Sequence, residues 1–533
     1  MTIAIAAALF FATAWPQFGH DPAHTGATDV AAQPLQSMLA SVVMDPFVDA
    51  ELAYYQTDLY VHYASPIVDG DDVFVEVKRG TFTGDWSTES FGVEALRWQR
   101  NRLVPRWTTM SDWKPVPYTG NGGPGFEPLF QPVLANGFVY VPGENGGVIR
   151  LDRDSGAVVD RIAQADSSTY VSGPLVADSA GNVLYNVIAF AAAANPWTVD
   201  TRDAWLERIT PSGATSAYHY SRADATAQCL GVFSDAQLPW PPSPNAVPPT
   251  ITCGSQRPGV NVAPAIANDG TIYTVSRAHF DSRYGDLIAL NADLTPKWSV
   301  SLRDRFNDGC NVLLPPNGSP GGCRGGARTG VDPEDNTAGA GRVNDDSSSS
   351  PMIAPDGSIF YGAYSRYNYD QGHLMHFSPS GDYLGSYPFG WDETPGVYAH
   401  EDTYSIITKE NHYDLGSYCD SCASGRPASY AITSLDPSLN VEWSFASISG
   451  FEWCINGPAI DRNGVSYINS EDGSLYAINR DGSLRATIRM TAALGQAYTP
   501  VVVDDHGRIY AEKAGTVFVV GAPLRVRAAG VRP

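Results

Sequence analysis

Charge is scarce in this 533-residue sequence, and positive charge is scarcest. Asp, Glu, Lys and Arg make up 17% of residues, and 34 Lys and Arg face 57 Asp and Glu, for a net charge of −23. So acidic a chain is not a nucleic-acid binder, because that affinity comes from clustered cations on phosphates. Long apolar runs are missing too: no segment approaches the roughly 20 residues of a membrane span. Adjacent cysteines, a P-loop and a complete zinc motif do not occur. What abounds is turn and ring, with 51 Gly, 39 Pro and an 11% aromatic share. That is too apolar for an acidic disordered chain, and it favours one large all-β domain over three or four ordinary ones.

Residues 1–14 read as a signal peptide. An apolar run from Ile3 closes on Ala12-Thr13-Ala14, a small-x-small cleavage pattern that puts the mature start at Trp15. The run is short and lacks a leading Lys or Arg, and the alternative is a buried N-terminal strand. Seven cysteines fit an oxidising compartment, hence a secreted or periplasmic location. Cys229 and Cys253 share one irregular stretch, Cys310 and Cys323 another, and Cys419 and Cys422 form a C-x-x-C, with Cys454 left over. Pairing within each stretch is the simplest reading, although spacing does not fix connectivity. A redox role for Cys419 and Cys422 lacks a βαβ context, and a c-type haem would need His where Ala423 stands.

The strongest signal is internal repetition. Ala263-Pro264 opens a unit running through Asp269-Gly270 to Tyr273, and Ser350-Pro351 opens its match through Asp356-Gly357 to Phe360. Further copies begin at Ser65-Pro66, Gln131-Pro132, Gly173-Pro174, Gly457-Pro458 and Thr499-Pro500, and a degenerate one without the proline runs near Thr403–Thr408. Each is two short apolar strands around a tight turn. A second pair follows, as in Asp286–Asp293 leading to Trp298, or Gly473–Gly482. The smallest proline spacing, 42 residues, is the length of one propeller blade. Eight copies predict an all-β, eight-bladed propeller of four-stranded blades over 15–533, or seven blades if the degenerate copy is absorbed.

These residues resemble the PQQ-like β-propeller repeat proteins, the group holding quinoprotein alcohol dehydrogenases and the outer-membrane assembly propeller. Leu287–Asp293 with Lys297-Trp298 is similar to that repeat, and Trp15-Pro-Gln-Phe-Gly-His-Asp-Pro-Ala-His-Thr-Gly26 is similar to the N-terminal signature. The resemblance implies that a strand near Met38–Val43 closes the ring. It also brings PQQ with calcium as a cofactor of the enzymes in the group. Those enzymes carry an adjacent cysteine pair, an Asp base and Glu/Asn/Asp metal ligands, and this sequence has no Cys-Cys.

In a four-stranded blade the first-to-second and third-to-fourth turns share one face. Here they are tight, as at Asp269-Gly270 and Asp356-Gly357. The long insertions, near 110–130, 221–260, 304–349 and 409–427, fall on the other face, which is therefore the candidate functional face. Its loops hold Trp86, Trp113, Trp197, Trp391, Tyr398 and Trp453, either as small loop cores or as stacking platforms. Lys78, Arg277, Arg366, Lys409 and Lys513 end second strands on the same face. They form either an anion-binding collar or ion pairs with loop carboxylates. His400, Glu401 and Asp402 are candidates for proton transfer, and Asp345, Asp346 and Glu401 for calcium. The leading functional reading is an exported, monomeric scaffold that binds an extracytoplasmic protein or an anionic or carbohydrate ligand. The alternatives are a quinone-dependent dehydrogenase and a uronate lyase or glycan-binding propeller.

Overall fold

A computed structural model describes residues 15–56, 59–117, 123–191, 196–222, 228–237, 240–312, 323–413, 427–491 and 500–523. Cys419, Cys422 and residues 1–14, read above as a signal peptide, lie outside them.

The middle strands of each repeat are apolar on both faces and bury both. Val183–Phe190 and Gly285–Leu290 are buried at every position, whereas the outer strands Pro296–Ser301 and Leu484–Arg489 are half exposed or exposed throughout. Such sheets are stable only when stacked between neighbours, and they form a ring of eight antiparallel blades. Blade 1 spans residues 67–110, blade 2 133–162, blade 3 169–219 and blade 4 256–301. Blade 5 spans 352–388, blade 6 396–446 and blade 7 459–489. Blade 8 takes three strands from 502–521 and its outer strand from Ser37–Val43, which pairs antiparallel with Thr516–Gly521 and closes the ring. The inner strands of blades 3 and 4 are each broken in two. The core lies between blades, as in the cluster of Val75, Leu96, Tyr467, Ala511 and Val519 from blades 7, 8 and 1.

Blade 6 corrects the reading of the degenerate repeat. Its inner strand is Gly396–His400, directly after Pro395, and Thr403–His412 is its second strand. The repeat proline is therefore present. What disguises the unit is its turn, where His400-Glu401-Asp402-Thr403 replaces Asp-Gly and Glu401 adopts φ 52°.

The N-terminal segment is rich in rings, turns and glycines because of its place in the ring. Residues 15–33 run round the inside of the channel and meet the inner strands of blades 1 to 7 and the first hairpin turn of blade 8 in order. Trp15 exchanges two backbone bonds with Val68, Pro16 O accepts from Leu134 N at 2.8 Å, and the Gln17 side chain accepts from Ala177 N at 2.6 Å. Pro22 O, Ala23 O, Thr25 O and Gly26 O then accept from Ile266, Ile353, Val397 and Ile460, and Gln33 N donates to Gly507 O on blade 8. Without this belt the inner strands would present bare edges to the axis.

Blades also dock through a tryptophan on one outer strand and a turn glycine on the next blade. Trp107, Trp298 and Trp443 lie against Gly156, Gly381 and Gly482, and the Trp107 and Trp298 indoles donate to Arg153 O and Pro379 O at 3.1 and 3.0 Å. Gly156 has φ 71°, and a Cβ there would stand 2.5 Å from the Trp107 ring. Gly156→Ala should therefore cost about 2–4 kcal/mol, from the left-handed backbone plus overpacking. Gly213 has φ 85° and open space around it, so Gly213→Ala should cost only about 1 kcal/mol. Urea unfolding midpoints of the two variants test this difference.

Candidate functional site

The short segments that lead into the inner strands converge on the axis at the loop-rich mouth. His62 precedes blade 1, Asn261 interrupts the inner strand of blade 4, and Asp392 precedes blade 6, yet the three meet. His62 Nε2 lies 3.5 Å from Asp392 Oδ2, and Asn261 Nδ2 lies 3.3 Å from His62 Nδ1. Asp392 also accepts from Ser348 N and Oγ at 2.5 and 2.9 Å, and Asn456 of the blade 7 lead-in donates to Ser348 Oγ at 2.9 Å. Phe126 stacks on His62 at 4.7 Å. His62, Asn261, Asp392 and Asn456 are all buried, so side chains from opposite sides of the ring close the mouth. Below them, between these segments and the belt, lies a void with room for about one water, lined by Trp15, Phe18, His24, Thr394 and Asn456.

A second buried group flanks the axis. Arg257 forks onto Asp345 at 2.7 and 2.6 Å, and Arg277 reaches the same carboxylate at 2.9 Å. Burial opposes ionisation of Asp345, but the two guanidiniums hold it well below the usual carboxylate range. Burial and both guanidiniums push His279 down to about 3, so its Nδ1 accepts from Arg257 Nε at 3.0 Å. Asp346 is pushed up to about 7 by burial and by Asp392. Glu393 is pushed to about 7 by burial, against the pull of Lys409.

The collar cations are all inside salt bridges or buried. Arg277 belongs to Asp345, Arg366 pairs with Glu334, and Lys78 Nζ sits 2.5 Å from Glu127 and 3.2 Å from Asp45. Lys409 Nζ donates to Asp392 O at 2.9 Å, and the Lys513 ammonium is fully buried. For Arg277, Arg366 and Lys78 the partners are carboxylates of the loops and connections.

The aromatics divide similarly. Trp86, Trp113, Trp197 and Trp453 are buried, Trp113 against Phe91 and Phe130, and Trp197 beside His279 and Arg257. Trp391 is half-buried beside Tyr364. Tyr398, His400, Glu401 and Asp402 lie elsewhere. They sit at the blade 6 hairpin on the tight-turn face, where Tyr398 packs on Gly464 and His400 contacts Arg480 at 2.7 Å. Their register makes His400, Glu401 and Asp402 a hairpin turn on the tight-turn face, away from the loop-rich face and the channel mouth. Sequence reasoning missed His62, Arg257, Asn261, Asp392 and Asn456. Their shared signal is a polar residue a few positions before the repeat proline, or before the second half of a split inner strand.

The ring has counterparts among solved structures. No family model and no curated protein matches the chain. A europium-containing methanol dehydrogenase superposes with a TM-score of 0.53 at 11% identity, over 93% of this chain and 88% of that one. A quinohemoprotein alcohol dehydrogenase from Comamonas testosteroni gives 0.52 at 13% identity, over 96% and 81%. In fold, the chain is an eight-bladed β-propeller similar to those of these two dehydrogenases. BamB from Moraxella catarrhalis superposes more loosely, with a TM-score of 0.40 at 14% identity, over 91% of this chain and 99% of that one.

Pyrroloquinoline quinone is a flat tricarboxylate, and holding it on the axis of this propeller would take a slot and available cations. Here His62, Asn261 and Asp392 cross the mouth, and Arg257 and Arg277 are already committed to Asp345. The disulfides, Cys229–Cys253 and Cys310–Cys323, each join distant residues and form no vicinal pair. The residues of the mouth do not fit the group.

Two measurements check this electrostatic picture. Arg257→Ala removes the forked partner of buried Asp345 and leaves it Arg277 alone, which should cost about 2–3 kcal/mol in urea unfolding. Asp346 and Glu393 have folded pKa values near 7, above their unfolded ones, so the native state binds more protons between about pH 4 and 7. Their stabilisation is complete below about pH 4 and is lost as pH rises through 7. The melting temperature should fall from pH 5 to pH 7.5, and Asp346→Asn with Glu393→Gln should flatten that fall.

Proposed function

We propose that this chain is an extracytoplasmic interaction propeller, which engages a protein partner with the outer surface of its loop-rich face while the ring serves as a rigid mount. The observation that carries this reading is the closed mouth: the axial position is filled by the protein's own hydrogen-bonded side chains. An anionic or uronate ligand would have to displace carboxylates already bound to Arg277 and Arg366. The outer surface, by contrast, is built up.

The insertions between blades 3 and 4 and between blades 4 and 5 pack together as one stapled cap. Phe233 N donates to Glu334 O at 2.8 Å, Arg324 N donates to Trp240 O at 2.6 Å, and a disulfide fastens each insertion. Buried charge ties the cap to blade 4, whose Arg283 reaches Asp335 at 2.9 Å, and braces the cap internally through Arg342 on Asp332. Val232, Val247, Ile251 and Phe280 remain exposed on this cap and the adjoining blade 4 loop, the kind of apolar surface that protein partners cover. Disulfides in both insertions support an oxidising compartment. No helix among the described residues is long and apolar enough to cross a membrane.

Photo-crosslinkers placed at Val247 and Phe280 in cells should trap one discrete protein, whereas one at Leu484 on an outer strand should not. Trapping from all three sites alike, or alcohol oxidation once PQQ and calcium are supplied, would overturn the reading.

A further inference from the structure

Beside blade 1, away from the axis cluster, the chain buries five carboxylates around one ammonium. Glu51 comes from the helix Val48–Tyr55 in the link from blade 8 to blade 1, and Glu89 opens the third strand of blade 1. Glu127 lies in the connection to blade 2, tied down by its N–H to Tyr60 O at 2.7 Å. Asp45 and Glu76 complete the set, and Lys78 stands among them. Glu51, Glu89 and Lys78 are 0% exposed and Glu127 is 1% exposed. Lys78 is spent on one side, at 2.5 Å from Glu127 and 3.2 Å from Asp45, and reaches Glu51 and Glu89 only at 3.9 Å. The nearby Lys114 ammonium bonds the Glu89 carbonyl, not a carboxylate.

No donor from the rest of the protein bonds any of the four carboxylate oxygens of Glu51 and Glu89, and the two carboxyls face each other closely enough to bond only if one of them holds a proton. One ligand oxygen from each of Glu51, Glu89 and Glu127 lies within 4.8 Å of the others. One ammonium cannot balance five buried carboxylates, and uncompensated buried charge is strongly destabilising. Three convergent carboxylates with no nitrogen or sulfur donor suit a hard cation. Opposed ligands of a calcium ion, each at 2.3–2.6 Å, stand up to about 5 Å apart, and carboxylates can bind it in two-oxygen mode where a buried site admits few waters. Magnesium, which keeps several waters, is the poorer match.

We propose that Glu51, Glu89 and Glu127 form a structural calcium site that fastens the blade 8–blade 1 link and the blade 1–blade 2 connection to blade 1. The ion clamps three separate segments where the ring closes, next to the strand Ser37–Val43.

The test uses the full chain after chelator dialysis. Calorimetric titration should show one calcium per chain at this site, and the melting temperature should rise by a few degrees with excess calcium. Terbium in place of calcium should luminesce on excitation at tryptophan wavelengths, through the buried Trp86 three residues before Glu89, and calcium should quench that signal. Glu51→Gln with Glu89→Gln should lose the titration and the thermal shift. Trp86→Phe, which spares the acids, should cut the terbium signal several-fold while keeping the stoichiometry. The proposal falls if the wild-type chain binds no calcium and melts alike with and without it. It falls equally if the double variant binds as the wild type does, or if Trp86→Phe leaves the luminescence unchanged.

Discussion

Eight inner strands point their open edges at one axis, and those edges must be hydrogen-bonded. A closed ring solves the edge problem around its circumference but creates it again at the centre, where every blade begins with an edge strand. Residues 15–33 answer that constraint by running past the inner strands of blades 1 to 7 and the first hairpin turn of blade 8 in sequence, from Val68 to Gly507. The belt must turn within a narrow channel, which explains its small and turn-forming residues. Gly26 has φ 64°, and a Cβ there would stand 2.5 Å from Pro458 O. Asp21 caps the same bend, accepting from Ala23 N at 2.9 Å and Thr25 N at 3.2 Å. Four residues after the belt the chain becomes the outer strand of blade 8, so the segment that seals the centre also seals the ring.

At the opposite end of the channel the constraint is electrostatic. A chain with few cations spends many of them inside, where an ion pair is screened least. Arg257 and Arg277 share Asp345, Arg283 bridges Asp281 and Asp335, and Lys78 serves the acids of blade 1. These bonds hold long loops that have no strand of their own, alongside the two disulfides. They also consume the positive charge that an anionic ligand would need. The result is a face whose cations are mostly committed within the protein.

Much of this architecture was legible because its signals are local. The repeat prolines, the Asp-Gly turns and the spacing predict the blades, and the strand near Met38–Val43 does close the ring. Pairing of Cys229 with Cys253 and of Cys310 with Cys323 also follows the local reading. The blade 6 turn misled because His400-Glu401-Asp402 looks like chemistry while serving as a hairpin, its φ 52° at Glu401 doing what glycine does elsewhere. The cluster of His62, Asn261 and Asp392 was illegible for a different reason. Its members are about 200 and 130 residues apart, and only the curvature of the ring makes them neighbours.

By itself, then, the sequence determined the propeller and the order of its blades, with eight or seven left open, because strand, turn and proline are read within a few residues. It also determined that the long loops share a face, because antiparallel alternation leaves no other choice. Only the tertiary structure decided what those loops do with their charge. A lysine at the end of a strand reads the same whether it faces solvent or five carboxylates. The difference comes from segments as remote as Glu51 and Glu127 being folded against it, where water is excluded and every charge must find its counterpart.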